Sequence, residues 1–517
     1  MIITDDEYKR AKEAFVADIQ GTTGREVFFV FALMPGTQWL YSELMLLLEV
    51  AGLRSVGSGD FALPITILIE FVVLTLPSMI AFTFTQYTLP LVAAVYLTAA
   101  VLNRLSWKHA RESVLKHCRK QKMAELLEDE LPFLTCFRAQ IILSTVFAIL
   151  AVDFPIFPRR FAKTETFGFS VMDIGVGAFV LSSAIVSSFA RSARPAAPNK
   201  RSRGDERPRS VASRVYGFFR PIVLVLVLGF VRFLTVKGVN YQEHVTEYGV
   251  HWNFYFTLGG VYVLFSGLQV FGAFATSPVT AALLGVGYQI YLTYFGGEDF
   301  ILHAPRDTLF EQNREGILSL FVSFRRLCSS HSHGFVGSTT GYTALHIATV
   351  YAGKVIFGYM DRHGGKVVRN VRWLAVTLGM GTLVLVLATF VSVRTVSRPS
   401  RRMVNLPYAL WVLAQSLFLV TLYVAFHVVS GRGLTGCTTN IRRRDSLLPR
   451  TPLLFKGASR NQLFIFLIAN LATGAVNLTM RTIYASAPTA SAVLCVYMGA
   501  VSLVATLLAH ANIRIKL

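Results

Sequence analysis

"VRWLAVTLGMGTLVLVLATFVSV", residues 371–393, carries a single charged side chain, Arg372, at its edge. A helix of that length crosses a hydrocarbon core roughly 30 Å thick. Inside such a core every backbone polar group must be satisfied within its own segment, which an α-helix does and an open strand does not. Comparable apolar blocks lie on either side of it, at 27–50, 61–82, 84–102, 133–153, 167–189, 212–235, 253–275, 277–295, 339–358, 404–429, 461–480 and 489–511. The reading is an all-α polytopic membrane protein of about thirteen transmembrane helices, one membrane domain over 1–517 with no separate soluble domain. The first and ninth blocks carry the most polar groups. A β-barrel would show short alternating segments instead.

Composition agrees. The chain is 53% hydrophobic and 15% charged, against about 25% charged in soluble domains. The net charge of +21 invites a nucleic-acid partner, but the basic residues gather in short loops between spans. Arg104–Lys122, Arg191–Arg209 and Arg432–Arg460 lie on one side of a thirteen-span bundle, the positive-inside pattern. The C-terminus is then cytoplasmic and the N-terminus is not; no nucleic-acid partner is expected. Residues 1–24 have no apolar core of a signal peptide. Residues 191–210 are rich in Pro, Arg and Ser and read as a disordered cytoplasmic loop; 431–460 is a second cytoplasmic loop. The five cysteines are scattered, with no metal or disulfide spacing.

Polar chemistry collects on the other side. Asp153 ends one apolar helix, and Arg159, Arg160 and Lys163 follow where the orientation rule disfavours basic residues. Ser170 and Asp173 fall inside the next expected span, where an ionisable group faces a partner or a wet cavity. Read as a helix from Tyr241, the stretch 241–255 puts His244, Glu247, Tyr248, His251 and Tyr255 on one stripe, with Trp252 and Asn253 beside it. Asn313 and Glu315, Asn405 within "RPSRRMVNLPY", and Asn470 and Asn477 in the twelfth span complete the candidates for binding a polar reactant.

Duller readings stand beside these. Asp153 could simply pair with Arg159 at a helix end, and Lys163 could anchor at lipid head groups. Asn470 and Asn477 have the usual role of interhelical hydrogen bonds. His244, Glu247 and His251 share a face but lack the HExxH form, so no metal is expected. His331 and His333 read as solvated, and no GxSxG elbow supports a nucleophilic serine.

Several blocks together resemble one family: "KEAFVADIQGTTGREV" (12–27), "VDFPIFPRRFAKTETFGFSVMDIGVG" (152–177), "KGVNYQEHVTEYGVHWNFYFTLG" (237–259), "NREGILSL" (313–320), "SRRMVNLPYALWV" (400–412) and "NQLFIFLIANLATGAVNLTMRTIYAS" (461–486). These are similar to the inositol acyltransferases of glycosylphosphatidylinositol (GPI) anchor synthesis. The resemblance implies a multi-pass enzyme of the endoplasmic reticulum that moves a fatty acyl group, commonly palmitoyl, from acyl-CoA to the inositol of glucosaminyl-phosphatidylinositol. Acyl-CoA is then a co-substrate, no cofactor is needed, and the partners are that lipid and the surrounding membrane lipids. It implies Asp153 and Lys163 as the catalytic acid–base pair. The chain departs from the pattern around 321–340, where "SLFVSFRRLCSSHSHGFVGSTTGYTAL" replaces a shorter Ser-Leu-Pro-Gly-Tyr type segment. A polar-lipid transporter or a metal-dependent membrane hydrolase would also explain a polar stripe in an apolar bundle.

Overall fold

A computed structural model describes residues 5–50, 63–117, 131–191, 222–234, 251–303, 305, 307, 311–313, 315, 338–361, 367–430 and 451–515. Within these, the chain is built from helices: α1 (Asp5–Phe15), α2 (Gly24–Val50), α3 (Leu63–Thr83), α4 (Thr88–His117), α5 (Pro132–Ala151), α6 (Ile174–Ala184), α7 (Ile222–Leu234), α8 (Phe254–Leu268), α9 (Pro278–Tyr294), α10 (Gly297–His303), α11 (Ser338–Asp361), α12 (Val367–Thr395), α13 (Leu406–Ser430), α14 (Leu453–Arg460), α15 (Gln462–Thr479) and α16 (Ala487–His510). Several starts are written locally. Ser277 and Ser486 accept the N–H of Thr280 and Thr489, each with a proline in the first turn, and Asn253 accepts from Tyr255 and Phe256. Those side chains satisfy donors that a helix N-terminus otherwise leaves open.

Eight helices among the described residues are long and apolar enough to cross a membrane. The remaining expected spans coincide with α2, α6, α7, α9 and α11, which are shorter or more polar. The first and ninth blocks are two of these. One expected boundary moves: α6 begins at Ile174, not near 167. Gly168 there has a positive φ of 145° and Asp173 is drawn into a polar knot, so residues 167–173 form a loop.

The helices sort by burial. In α5, 83% of the apolar window is buried; in α12 it is 22%. On α12, Trp373, Val376, Met380, Leu383, Leu387 and Phe390 are exposed. Their spacing of three and four makes one continuous apolar stripe, which is what a lipid-facing helix requires. On α5 even the polar Gln140 is buried, donating to the Phe31 carbonyl (2.6 Å) and accepting from Tyr423 (3.0 Å). The main core runs around α5 and draws on α2, α6, α13, α15 and α16.

Loops at one end of the bundle are stitched together. Thr22 and Phe169 form an isolated antiparallel bridge, the Glu165 N–H donates to the Ile19 carbonyl (3.1 Å), and Gly168 donates to Pro399 (2.9 Å). Gly21, with φ at 82°, lies so close that a Cβ there would stand 2.4 Å from the Phe169 carbonyl oxygen. Only glycine fits that approach and that backbone angle.

Candidate active site

Asp153 follows the last turn of α5, buried at the end of the most buried helix. Its Oδ2 accepts from Asn477 Nδ2 at 2.8 Å. Its Oδ1 lies 3.3 Å from Lys12 Nζ. Lys12 also donates to Asn477 Oδ1 at 2.9 Å, closing a three-membered cluster. Thr482 donates to the same Asn477 oxygen at 3.4 Å, and Tyr8 OH lies 3.4 Å from Thr482 Oγ1. Acid, amide and ammonium thus come from the end of α5, the end of α15 and α1. A carboxylate oxygen has two lone-pair sites, so each oxygen of Asp153 can still accept from a reactant.

Arg159 borders the cluster. Its guanidinium donates to the carbonyls of Val152 (2.9 Å), Phe154 (3.1 Å) and Phe157 (2.9 Å) and covers the Phe15 ring at 3.9 Å. Burial draws its pKa down to about 10, against the pull of the Asp153 carboxylate; it remains charged at neutral pH. It fastens the turn after Asp153. Lys163 is half-buried further along the same loop, just beyond the 3-10 turn Arg159–Phe161. Arg160 points to the outside, forking onto Glu26 (2.9 Å) and reaching Thr85 (2.8 Å). Although burial favours protonation of Glu26, hydrogen bonds from Arg160 and Thr22 and the Arg160 charge hold its carboxyl below the usual range.

Other sequence-selected residues lie in separate knots. Asp173 is fully buried and accepts from Thr164 Oγ1 (2.7 Å), Thr164 N (3.2 Å) and Arg401 Nε (3.0 Å). Glu315 takes Arg402 at 2.8 Å, and Asn313 accepts the His251 N–H at 2.7 Å. Asn405 accepts from Ser400 N (2.9 Å) and Tyr408 N (3.2 Å) and donates to Ser397 and Arg398, pinning the start of α13. Asn253 caps α8 and donates to Gly229 (2.9 Å). Trp252 Nε1 donates to Thr257 (3.0 Å), and Asn470 donates back to Phe466 (2.7 Å). His251, Trp252 and Asn253 precede α8 rather than extending it. Tyr241, His244, Glu247 and Tyr248 lie outside the described residues, as do His331 and His333. Among the described residues no three His, Cys, Asp or Glu side chains gather as a metal site would need.

The sequence reading missed Lys12. Its helix is short and polar, so hydropathy is silent on it; the available signal was Tyr8, Lys12 and Phe15 recurring at helical spacing.

The fold and this cluster define a polytopic membrane protein with a buried acid at the mouth of its bundle, ordered by an amide and an amine. A model of the GWT1 family matches residues 8–322 and 326–508; the break falls inside the divergent stretch 321–340. The chain is 31% identical to the phosphatidylinositol-glycan biosynthesis class W protein of Dictyostelium discoideum and 34% identical to GPI-anchored wall transfer protein 1 of Aspergillus fumigatus, each over 99% of both chains. It is 30% identical, over 95% of both chains, to the glucosaminyl-phosphatidylinositol-acyltransferase PIGW of Bos taurus. The chain belongs to the GWT1 family.

Proposed function

We propose that this protein is an O-acyltransferase that esterifies the inositol ring of glucosaminyl-phosphatidylinositol in GPI-anchor synthesis, with acyl-CoA, commonly palmitoyl-CoA, as donor. Nearly full-length similarity to a protein named for that acyl transfer supports the reading, and the buried Asp153 cluster gives it a chemical centre.

The reaction is attack of an alcohol on a thioester. The inositol hydroxyl becomes a competent nucleophile as a base takes its proton. Asp153 is that base, accepting the proton on a lone pair that Lys12 and Asn477 leave open. A C–O bond forms and the carbonyl oxygen gains negative charge. The Lys163 ammonium stabilises that oxyanion, a role worth about 3–4 kcal/mol where one such donor is lost. The intermediate collapses, the C–S bond breaks, and the departing thiolate takes the proton from Asp153. The base is restored, and no metal or cofactor enters the balance. Arg160, Asp173, Tyr241, His244, Glu247, Tyr248, His251, Trp252, Asn253, Asn313, Glu315, Asn405, Asn470 and Asn477 are the polar residues offered to the sugar, inositol and phosphate. Those engaged in the knots above act by shaping the loops. The enzyme resides in the endoplasmic reticulum membrane, with its N-terminus lumenal and its C-terminus cytoplasmic.

Membranes carrying the protein, supplied with labelled acyl-CoA and glucosaminyl-phosphatidylinositol, test this. Labelled acyl-inositol lipid should form equally with and without chelator. Absence of product would refute the transfer, and loss of product on chelation would favour metal-dependent chemistry.

A further inference from the structure

Tyr8, Lys12 and Phe15 recur at four and three residues, one face of α1. Each meets a segment that borders Asp153. The Tyr8 ring lies 6.0 Å from that of Tyr484 and beneath Arg481 at 5.7 Å. Phe15 carries the Arg159 guanidinium. Between these flanks, Lys12 reaches the acid (3.3 Å) and the amide (2.9 Å). The first helix therefore lies as a strap across the cluster. Its base is tied down by the Thr22–Phe169 bridge.

An ammonium donates and never accepts. Lys12, with Thr482, therefore holds the Asn477 oxygen, while the acceptor-only Asp153 carboxylate takes its Nδ2. We infer that Lys12 is a positioning residue for Asp153, acting through its ion pair with the carboxylate and through its hold on Asn477. The inference rests on Asp153 being the base of the proposed transfer. Without Lys12 the carboxylate loses its ion pair and the amide oxygen is left with the 3.4 Å contact from Thr482, so both side chains can shift and Asp153 swings from the reactant. Displacements near 1 Å cost catalysis about 100-fold.

Full-length protein in detergent micelles provides the test. Lys12→Met should lower kcat about 10- to 100-fold with KM unchanged for both reactants. Lys12→Arg, which keeps a donor-only cation, should recover most of the rate. In a double-mutant cycle, Lys12→Met should matter much less once Asn477→Ala has removed the amide, because coupled residues are not additive. A second readout needs no acyl transfer: maleimide labelling of Tyr8→Cys should quicken severalfold when Lys12→Met is added, as the strap loses its central contact. If the unsubstituted protein transfers no acyl group, the function assigned above fails while the labelling still reports the contact. Unchanged kcat in Lys12→Met, additive effects in the cycle, or unchanged labelling would overturn the role of Lys12.

Discussion

Asp153 and Asp173 stand at the two ends of one loop, and their surroundings divide their work. Asp173 is fully buried, and it is enclosed by an arginine, a threonine hydroxyl and a backbone N–H that lock the loop to the start of α13. Asp153, nearly as buried, meets one ammonium and one amide on segments at the rim of the bundle. Asp173 is held by donors of its own loop and of the segment leading into α13 and serves as architecture; the donors to Asp153 come from two distant segments and leave each of its oxygens an acceptor site. The distinction lies in the donor set, since the two side chains are chemically identical.

Substitutions can break that comparison. Asp173→Ala should have the largest effect, because it removes the carboxylate to which the buried Arg401 guanidinium donates. Losing one partner of a buried pair costs about 3–5 kcal/mol, and the yield of folded protein and its thermal unfolding in detergent should both collapse. Asp153→Asn should instead leave folding close to normal while acyl transfer falls about 10²- to 10⁴-fold, the range for a lost general base; normal turnover would remove Asp153 from the chemistry. Lys163→Ala should cost about 10²- to 10³-fold in rate with normal protein levels, and a normal rate would remove the oxyanion role. Gly21→Ala sharpens the contrast from the α1–α2 segment that packs against the loop. A Cβ against the Phe169 carbonyl and a left-handed φ should cost about 1–3 kcal/mol, seen as a lowered unfolding temperature.

The smallest effect belongs to the half-exposed Glu26–Arg160 pair. Glu26→Gln should cost under about 1 kcal/mol. The Glu26 carboxyl is held below its ordinary value, so the pair stabilises above that value and loses its contribution as pH falls through the lowered one. The difference in unfolding temperature between the variant and the unsubstituted protein should therefore narrow under acid.

Hydropathy revealed the bundle because burial in lipid is a property of each segment alone. The stripe on α12 needs no partner to be recognised. Asp153 and Asn477 were also visible as polar groups closing apolar runs, yet their contact was not, since 324 residues separate them. The Asp173–Arg401 pair spans 228, and nothing local marks an arginine in 400–405 as its partner. Asn253 and Asn405 drew attention as polar residues beside apolar helices, where their local work is capping and loop closure. Lys12 escaped because its helix is too polar for a membrane criterion and acquires meaning only when docked.

The strap has a bearing on biogenesis. Lys12 leaves the ribosome long before the Asn477 it touches, since their contact spans 465 positions of chain. Throughout insertion of the intervening helices the acid at the end of α5 waits without its amide neighbour. Completion of the Asp153 cluster is therefore coupled to delivery of α15, and a chain stalled before that helix would carry the acid but lack its amide partner.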